Sequence, residues 1–394
     1  MTTISPTARI LIAVFALLLA IPVLTIPSND EEKLRLFHNR TLERWPPAKQ
    51  FVPDPVGAFR QASRWMADRA GPIMKAATLE KELLIFVLGT PPQRRITLGK
   101  DGYIFVNGVS DGGVNGLFEA QCQASQSEGT YRALLQSLPK LKEIGQILGV
   151  SVHAIAVPMT STLYADHLPR SVPPNLRSAC LEVLTGETRL SKLDQRADLN
   201  FIYPFEEMKA SRDTEGFFPK ANYHPMGMSL KTIRDVYLRR AGIDAKINET
   251  LELKSLPSEI LNTYGVTVTY PEYEIRNDRI TEDGAAATRV AATIAELFYR
   301  PPVTKVYANS GGSSRTALLL TDSVGIAGAP VFAAGFKRLV WVYRVGMKSA
   351  ADAGTLLERL RAVEPIDTMI LLLQVGSASE FVPWVDSLAA GATP

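Results

Sequence analysis

The C-terminal eighty residues constrain the fold most. Three unbroken apolar runs, "TALLLT", "RLVWVYRV" and "TMILLLQV", alternate with three helical stretches, "GIAGAPVFAAGF", "SAADAGTLLERLRAV" and "EFVPWVDSLAA". Strands that alternate with helices imply parallel strands joined by helical crossovers. Apolar residues on both alternating sides of a strand imply a sheet covered on both faces. The same alternation begins near residue 130, with the helical "YRALLQSLPKLKEIGQILG", stopped at Gly149, and the strand-like "VSVHAIAVP", interrupted by His153. Further helices are expected at 226–241 and 284–298. Upstream, residues 57–85 have helical periodicity broken at Gly71-Pro72, and Lys100-Asp101-Gly102 turns into a short strand at 103–106. The predicted class is α/β, a parallel sheet flanked by helices.

The N-terminus adds a second constraint. "RILIAVFALLLAIPVLTIPS" carries no charge between Ile10 and Ser28, and it is apolar on all faces. Its length is at the short end for a bilayer span. Arg9 precedes it and "NDEEK" follows, which orients the chain N-terminus inside and C-terminus outside. A cleaved signal peptide is the rival reading, but "LTIPSND" lacks a small-residue cleavage site. The expected organisation is a cytoplasmic tail at 1–9, a transmembrane anchor at 10–27, a juxtamembrane and helical segment at 28–98, and an exported domain at 99–394.

Several classes are disfavoured. The net charge is +3 with no run of Lys or Arg longer than a pair, so nucleic acid is not an expected partner. The four histidines contain no H-x-x-x-H pair, and no metal site or cofactor is expected. The two cysteines, Cys122 and Cys180, can pair in an oxidising compartment or remain two thiols.

Chemistry is sought where an open α/β sheet gathers it, at the carboxyl ends of the strands. Asp322-Ser323 ends the run "LLLT", and a helix is expected to begin at Val324. Ser323 would sit at that helix N-terminus, where backbone N–H groups can hold an oxyanion. Gly325 leaves room for a substrate to approach. Taken alone, Asp322 or Ser323 reads first as a helix cap. A serine nucleophile needs a base, and His224 in "ANYHPMG" lies in a loop before a helix. Asn222, two residues earlier, lines the same wall if that loop is extended.

The order of these motifs resembles the SGNH-hydrolase-like family of alginate and other exopolysaccharide O-acetyltransferases. The similarity runs from about residue 35 to the C-terminus: "HNRTLERWPP" with Asn39 and Arg40, "WMADRAG" with Asp68 and Arg69, "GKDGYIFV", and "PMTSTLYADHLP". The family's D-x-H motif falls on Asn222-Tyr223-His224 and its G-D-S motif on Thr321-Asp322-Ser323. Histidine precedes serine, a permutation of the usual SGNH order. The resemblance implies a membrane-anchored, periplasmic O-acetyltransferase at the bacterial inner membrane. Ser323 would be the nucleophile, His224 the base, Asn222 the orienter, and the Ser323 N–H part of the oxyanion hole. It also implies a polysaccharide acceptor, and an integral membrane acyltransferase as acetyl donor.

The chain departs from the family at four places. Asn222 stands for the acid of D-x-H, and Thr321 for the glycine of G-D-S. Thr160 and Ser161 occupy the neighbourhood of a lysine, and "LLLQVGSAS" lacks the acidic residue that often follows the last strand. An asparagine orients an imidazole but brings no negative charge; Asp213 and Asp166 are candidate substitutes. Two readings result: an active O-acetyltransferase or acetylesterase, and a degenerate relative that binds a glycan or partner without chemistry.

Overall fold

The computed structural model describes residues 42–69, 71–107, 116–263, 266 and 268–392. The expected tail and anchor at 1–27, and Asn39-Arg40, lie outside the described residues. Among the described residues no helix is long and apolar enough to cross a membrane. The chain divides into two compact units, Met1–Gln93 with Pro257–Thr269, and Arg94–Leu256 with Tyr270–Pro394. Strand β1 (Ile96–Leu98) pairs antiparallel with β2 (Ile104–Val106) across the Lys100–Gly102 turn.

In the first unit, helix Pro55–Arg69 ends where helix Gly71–Glu82 begins, so the break falls beside the Gly71-Pro72 pair. Proline near a helix start costs nothing, because its missing N–H would be unpaired there. Asp68 is buried and accepts the Glu43 N–H at 2.7 Å. Arg69 donates to the Glu43 carbonyl at 2.9 Å and lies 4.9 Å from the Trp65 ring, which Trp45 meets edge-on at 4.9 Å. The two N-terminal motif segments are thus packed together by a buried acid and a cation–π contact.

The second unit is built on a seven-stranded sheet in the order β4-β3-β11-β9-β10-β8-β7. The strands are β3 (Ser151–Val157), β4 (Phe201–Ile202), β7 (Ile280–Glu282), β8 (Thr304–Asn309), β9 (Ser313–Thr321), β10 (Phe336–Tyr343) and β11 (Thr368–Gln374). The strands β4, β3, β11, β9 and β10 run parallel, as the alternation predicts. The sheet as a whole is mixed, because β8 pairs antiparallel with β10 and β7 antiparallel with β8. The edge strand β7 and its neighbour β8 are short and partly exposed, so they lack the apolar run that marks a central strand. A further two-stranded sheet joins β5 (Thr250–Pro257) and β6 (Thr269–Arg276).

The central strands β9 and β11 are buried on both faces between helices that include Val324–Ala333, Ala353–Arg361 and Phe381–Ala392. The expected helix at 130–149 is two helices, Glu128–Ser137 and Pro139–Leu148. Pro139 opens the second, and Gly149 closes it at φ +64°.

Cys122 and Cys180 form a disulfide, both side chains wholly buried. It joins the turn Glu119–Gln123 to helix Pro174–Thr185. Closing a loop of 58 residues stabilises the fold by about 4 kcal/mol in the chain-entropy account.

His153, which interrupts β3, packs edge-on against Tyr237 at 5.4 Å. Burial, then the nearby Arg315 charge, lowers its pKa from 6.5 to about 4. The folded chain therefore binds fewer protons than the unfolded chain between those values. Its contribution to stability is full above pH 6.5 and is lost as pH falls through about 4. His153→Phe, which keeps a ring against Tyr237, is expected to flatten the fall in urea midpoint between pH 7 and pH 4. An unchanged slope would place the acid sensitivity elsewhere.

Candidate active site

Ser323 lies just beyond the carboxyl end of β9, the middle strand of the sheet, at the cap position of helix Val324–Ala333. Its side chain caps nothing. Instead Oγ lies 2.7 Å from His224 Nε2, across 99 residues of sequence. Both residues are partly exposed. At that distance the neutral imidazole with Nε2 unprotonated accepts the hydroxyl proton, the arrangement that activates a serine.

The capping is done by Asp322. Its Oδ1 accepts the Val324 N–H at 3.0 Å, and its Oδ2 accepts the Gln374 N–H at 2.9 Å. One carboxylate thereby fixes both the helix start and the end of the neighbouring strand β11. Burial pushes its pKa up, while the two backbone N–H groups and the charges of Arg344 and His224 oppose that shift.

The first-turn N–H groups are unequal. Val324 donates to the Asp322 carboxylate and Gly325 to the Asp322 carbonyl at 3.1 Å. The Ser323 N–H has no partner among the described residues and stays available to an oxyanion. Gly325, expected to leave room for a substrate, is packed closely against the sheet. A Cβ there would stand 1.8 Å from Thr321 Oγ1 and 2.6 Å from Trp341 Nε1. Thr321 Oγ1 accepts the Trp341 indole N–H at 2.8 Å. The bare glycine lets the helix approach this pair.

His224 is aimed by its loop. Thr160 Oγ1 donates to the Asn222 carbonyl at 3.1 Å, so the segment that follows β3 braces the histidine loop. Beyond His224 the chain turns sharply at Gly227, with φ +43° and the space for a Cβ taken by the Tyr273 carbonyl at 2.1 Å. Only glycine fits both demands. Met226 N–H bonds Ser229 Oγ at 2.9 Å and starts helix Gly227–Arg240. That helix is anchored by buried Arg234, which grips Glu249 through two hydrogen bonds of 2.6 and 2.8 Å.

Asn222 does not follow the expected geometry. Its side chain is buried, and its amide donates to Glu272 Oε2 at 3.1 Å. Among the described residues no hydrogen bond joins it to the imidazole. The expectation assumed an extended loop, whereas the chain bends at Tyr223 and His224, so side chains two apart diverge. The substitute acids are engaged elsewhere: Asp166 is held by Arg212 at 2.8 and 3.1 Å, and Asp213 lies 3.6 Å from the same guanidinium.

Three residues of the site have no signal in the sequence. Glu272 comes from β6, Gln121 from the disulfide-linked turn and Gln374 from the end of β11; each is an isolated polar residue without a motif. Among the described residues no group of three or more His, Cys, Asp or Glu side chains is placed to hold a metal ion.

No protein-family model and no curated protein matches the chain. Among solved structures, it is similar to a DHHW family protein from Eubacterium siraeum, at 14% identity and a TM-score of 0.44, over 75% of this chain and 95% of that one. It is similar to PatB1 of Bacillus cereus, solved with a sulfonyl adduct, at 14% identity and 0.43, over 72% and 95%. It is also similar to the O-acetyltransferase domain of AlgJ from Pseudomonas putida, at 11% identity and 0.39, over 75% and 98%.

Proposed function

We propose that the chain is a membrane-anchored, periplasmic acyltransferase that moves acetyl groups onto hydroxyls of an exopolysaccharide. The observation that carries the chemistry is the 2.7 Å contact between Ser323 Oγ and His224 Nε2 at the carboxyl end of the sheet. Ser323 Oγ attacks the carbonyl carbon of an acetyl donor as its proton passes to Nε2. The carbonyl π electrons move to oxygen, which the Ser323 N–H receives. Collapse of that intermediate expels the donor's leaving group, which takes the proton from His224, and an acyl-enzyme remains. A polysaccharide hydroxyl then gives its proton to His224 and attacks the acyl carbon; collapse of that second intermediate expels Ser323 Oγ, which takes the proton back from His224. If water takes the place of the sugar hydroxyl, the same site is an acetylesterase.

The anchored topology rests on the uncharged apolar run between Ile10 and Ser28 and its flanking charges, and the polysaccharide and the donor rest on the sequence resemblance. A domain outside the inner membrane has no access to cytoplasmic acetyl-CoA, so the acetyl group must be relayed by an integral membrane acyltransferase. One observation favours a second reading, a glycan-binding relative without chemistry: the residue at the acid position faces Glu272 rather than the imidazole.

A serine-reactive fluorophosphonate separates the two. The intact chain is expected to take one label, and Ser323→Ala none. Equal labelling of both, or of neither, rejects the catalytic reading.

A further inference from the structure

Four polar side chains beside the His224 loop form a hydrogen-bond chain with one direction. Ser161 Oγ donates to Gln121 Oε1 at 2.5 Å. Gln121 Nε2 donates to the Tyr223 phenol oxygen at 3.0 Å and lies 3.4 Å from Gln374 Oε1. Tyr223 in turn donates its proton to Gln374 Oε1 at 2.5 Å. Ser161 and Gln121 are 2% and 1% exposed, so this end of the chain is fixed inside the protein. Gln121 is also carried on the turn that the Cys122–Cys180 disulfide holds.

The direction of the chain decides how the Gln374 carboxamide lies. A phenol O–H needs an acceptor, and the oxygen is the only acceptor that carboxamide has. The oxygen is therefore turned to Tyr223, and Nε2, a double donor, is turned away. Nε2 has no hydrogen-bond partner among the described residues, and Gln374 is partly exposed. Gln374 also sits at the reacting end of the sheet. Its backbone N–H bonds the carboxylate of Asp322, next to the nucleophile. The Tyr223 ring that orients its side chain lies 4.7 Å from the His224 ring.

We propose that Gln374 Nε2 acts with the Ser323 N–H as the second donor of the oxyanion hole, and is therefore a catalytic residue. The proposal rests on the acyl-enzyme reading above. As Ser323 Oγ bonds to the acyl carbon, the carbonyl oxygen gains the displaced electron pair. Gln374 then strengthens a hydrogen bond it holds weakly in the ground state. A neutral amide suits this task, since it donates without drawing a proton from the site, and the Ser161–Gln121–Tyr223 chain prevents its rotation.

The test uses the full-length chain, p-nitrophenyl acetate as acyl donor and the fluorophosphonate as a tetrahedral probe. Gln374→Met, close in size and lacking the donor, is expected to lower kcat by about 10²- to 10³-fold, the usual cost of one oxyanion donor. KM should stay within about threefold and phosphonylation should slow in parallel with kcat. Tyr223→Phe keeps the amide but frees its rotation, and kcat is expected to fall about tenfold with KM unchanged. Gln374→Asn should recover part of the loss. A Gln374→Met enzyme that keeps kcat and the labelling rate of the wild type overturns the oxyanion role alone. Should Gln374→Met fail to fold, an unchanged kcat in Tyr223→Phe overturns it. A wild-type chain that neither turns over the ester nor takes the label overturns this proposal together with the acyl-enzyme reading.

Discussion

Replacing Ser323 or His224 with alanine is expected to lower turnover of an acyl ester by a factor on the order of 10⁴ to 10⁶, with little change in melting temperature. The size of the loss follows from the joint action of the pair. The hydroxyl is a poor nucleophile without a base at 2.7 Å, and the imidazole has no proton to accept without the hydroxyl. Groups that act as a unit are not additive. The Ser323→Ala/His224→Ala double variant is therefore expected to be no slower than either single one. Stability should hold because neither side chain caps the helix; Asp322 does that. Multiplicative losses in the double variant, or a His224→Ala enzyme within about tenfold of wild type, would show that the two residues do not work as a pair.

Gly325→Ala is expected to have a large structural effect for a single added methyl group. The added Cβ would lie 1.8 Å from Thr321 Oγ1, 2.5 Å from Thr321 Cβ and 2.6 Å from Trp341 Nε1. None of these is the free end of a flexible chain. Thr321 is fully buried at the end of β9, and its hydroxyl is tied to the Trp341 indole of β10. The helix Val324–Ala333 must lift from the sheet, or the Thr321–Trp341 bond must break. Overpacking of this kind costs about 3 kcal/mol or more. In a domain of this size that lowers Tm by roughly 6–12 °C. Because Ser323 immediately precedes this helix, activity is expected to fall as well. The contrast with Ser323→Ala is diagnostic: one variant loses activity and keeps Tm, while the other loses both. A Gly325→Ala protein with wild-type Tm would mean that helix and sheet are not in contact as described.

The alternation of apolar runs and helices after residue 313 was sufficient to read the central strands, their direction and their burial. A strand covered on both faces has no polar side, so its burial is written in every residue. Helix ends at Gly149 and near Gly71-Pro72 were legible for a similar reason, since glycine and proline restrict the backbone locally. Strands β7 and β8, short and only partly buried, were not legible, because such strands are made by their neighbours' hydrogen bonds rather than by their own pattern.

At the site, the sequence by itself determined that a serine would end a central strand and that a histidine would precede a helix. Backbone period and turn residues decide such placements within a few positions. Only the tertiary structure decided that the two meet, that Asp322 rather than Ser323 caps the helix, and that Asn222 turns to Glu272. It alone also brought Gln121, Tyr223 and Gln374 into one hydrogen-bond chain. Apart from the local Asp322 cap, those facts depend on contacts between residues 50 to 253 positions apart, the longest being that between Gln121 and Gln374. Side-chain direction in a bent loop follows from the packing around it, and no local spacing encodes that.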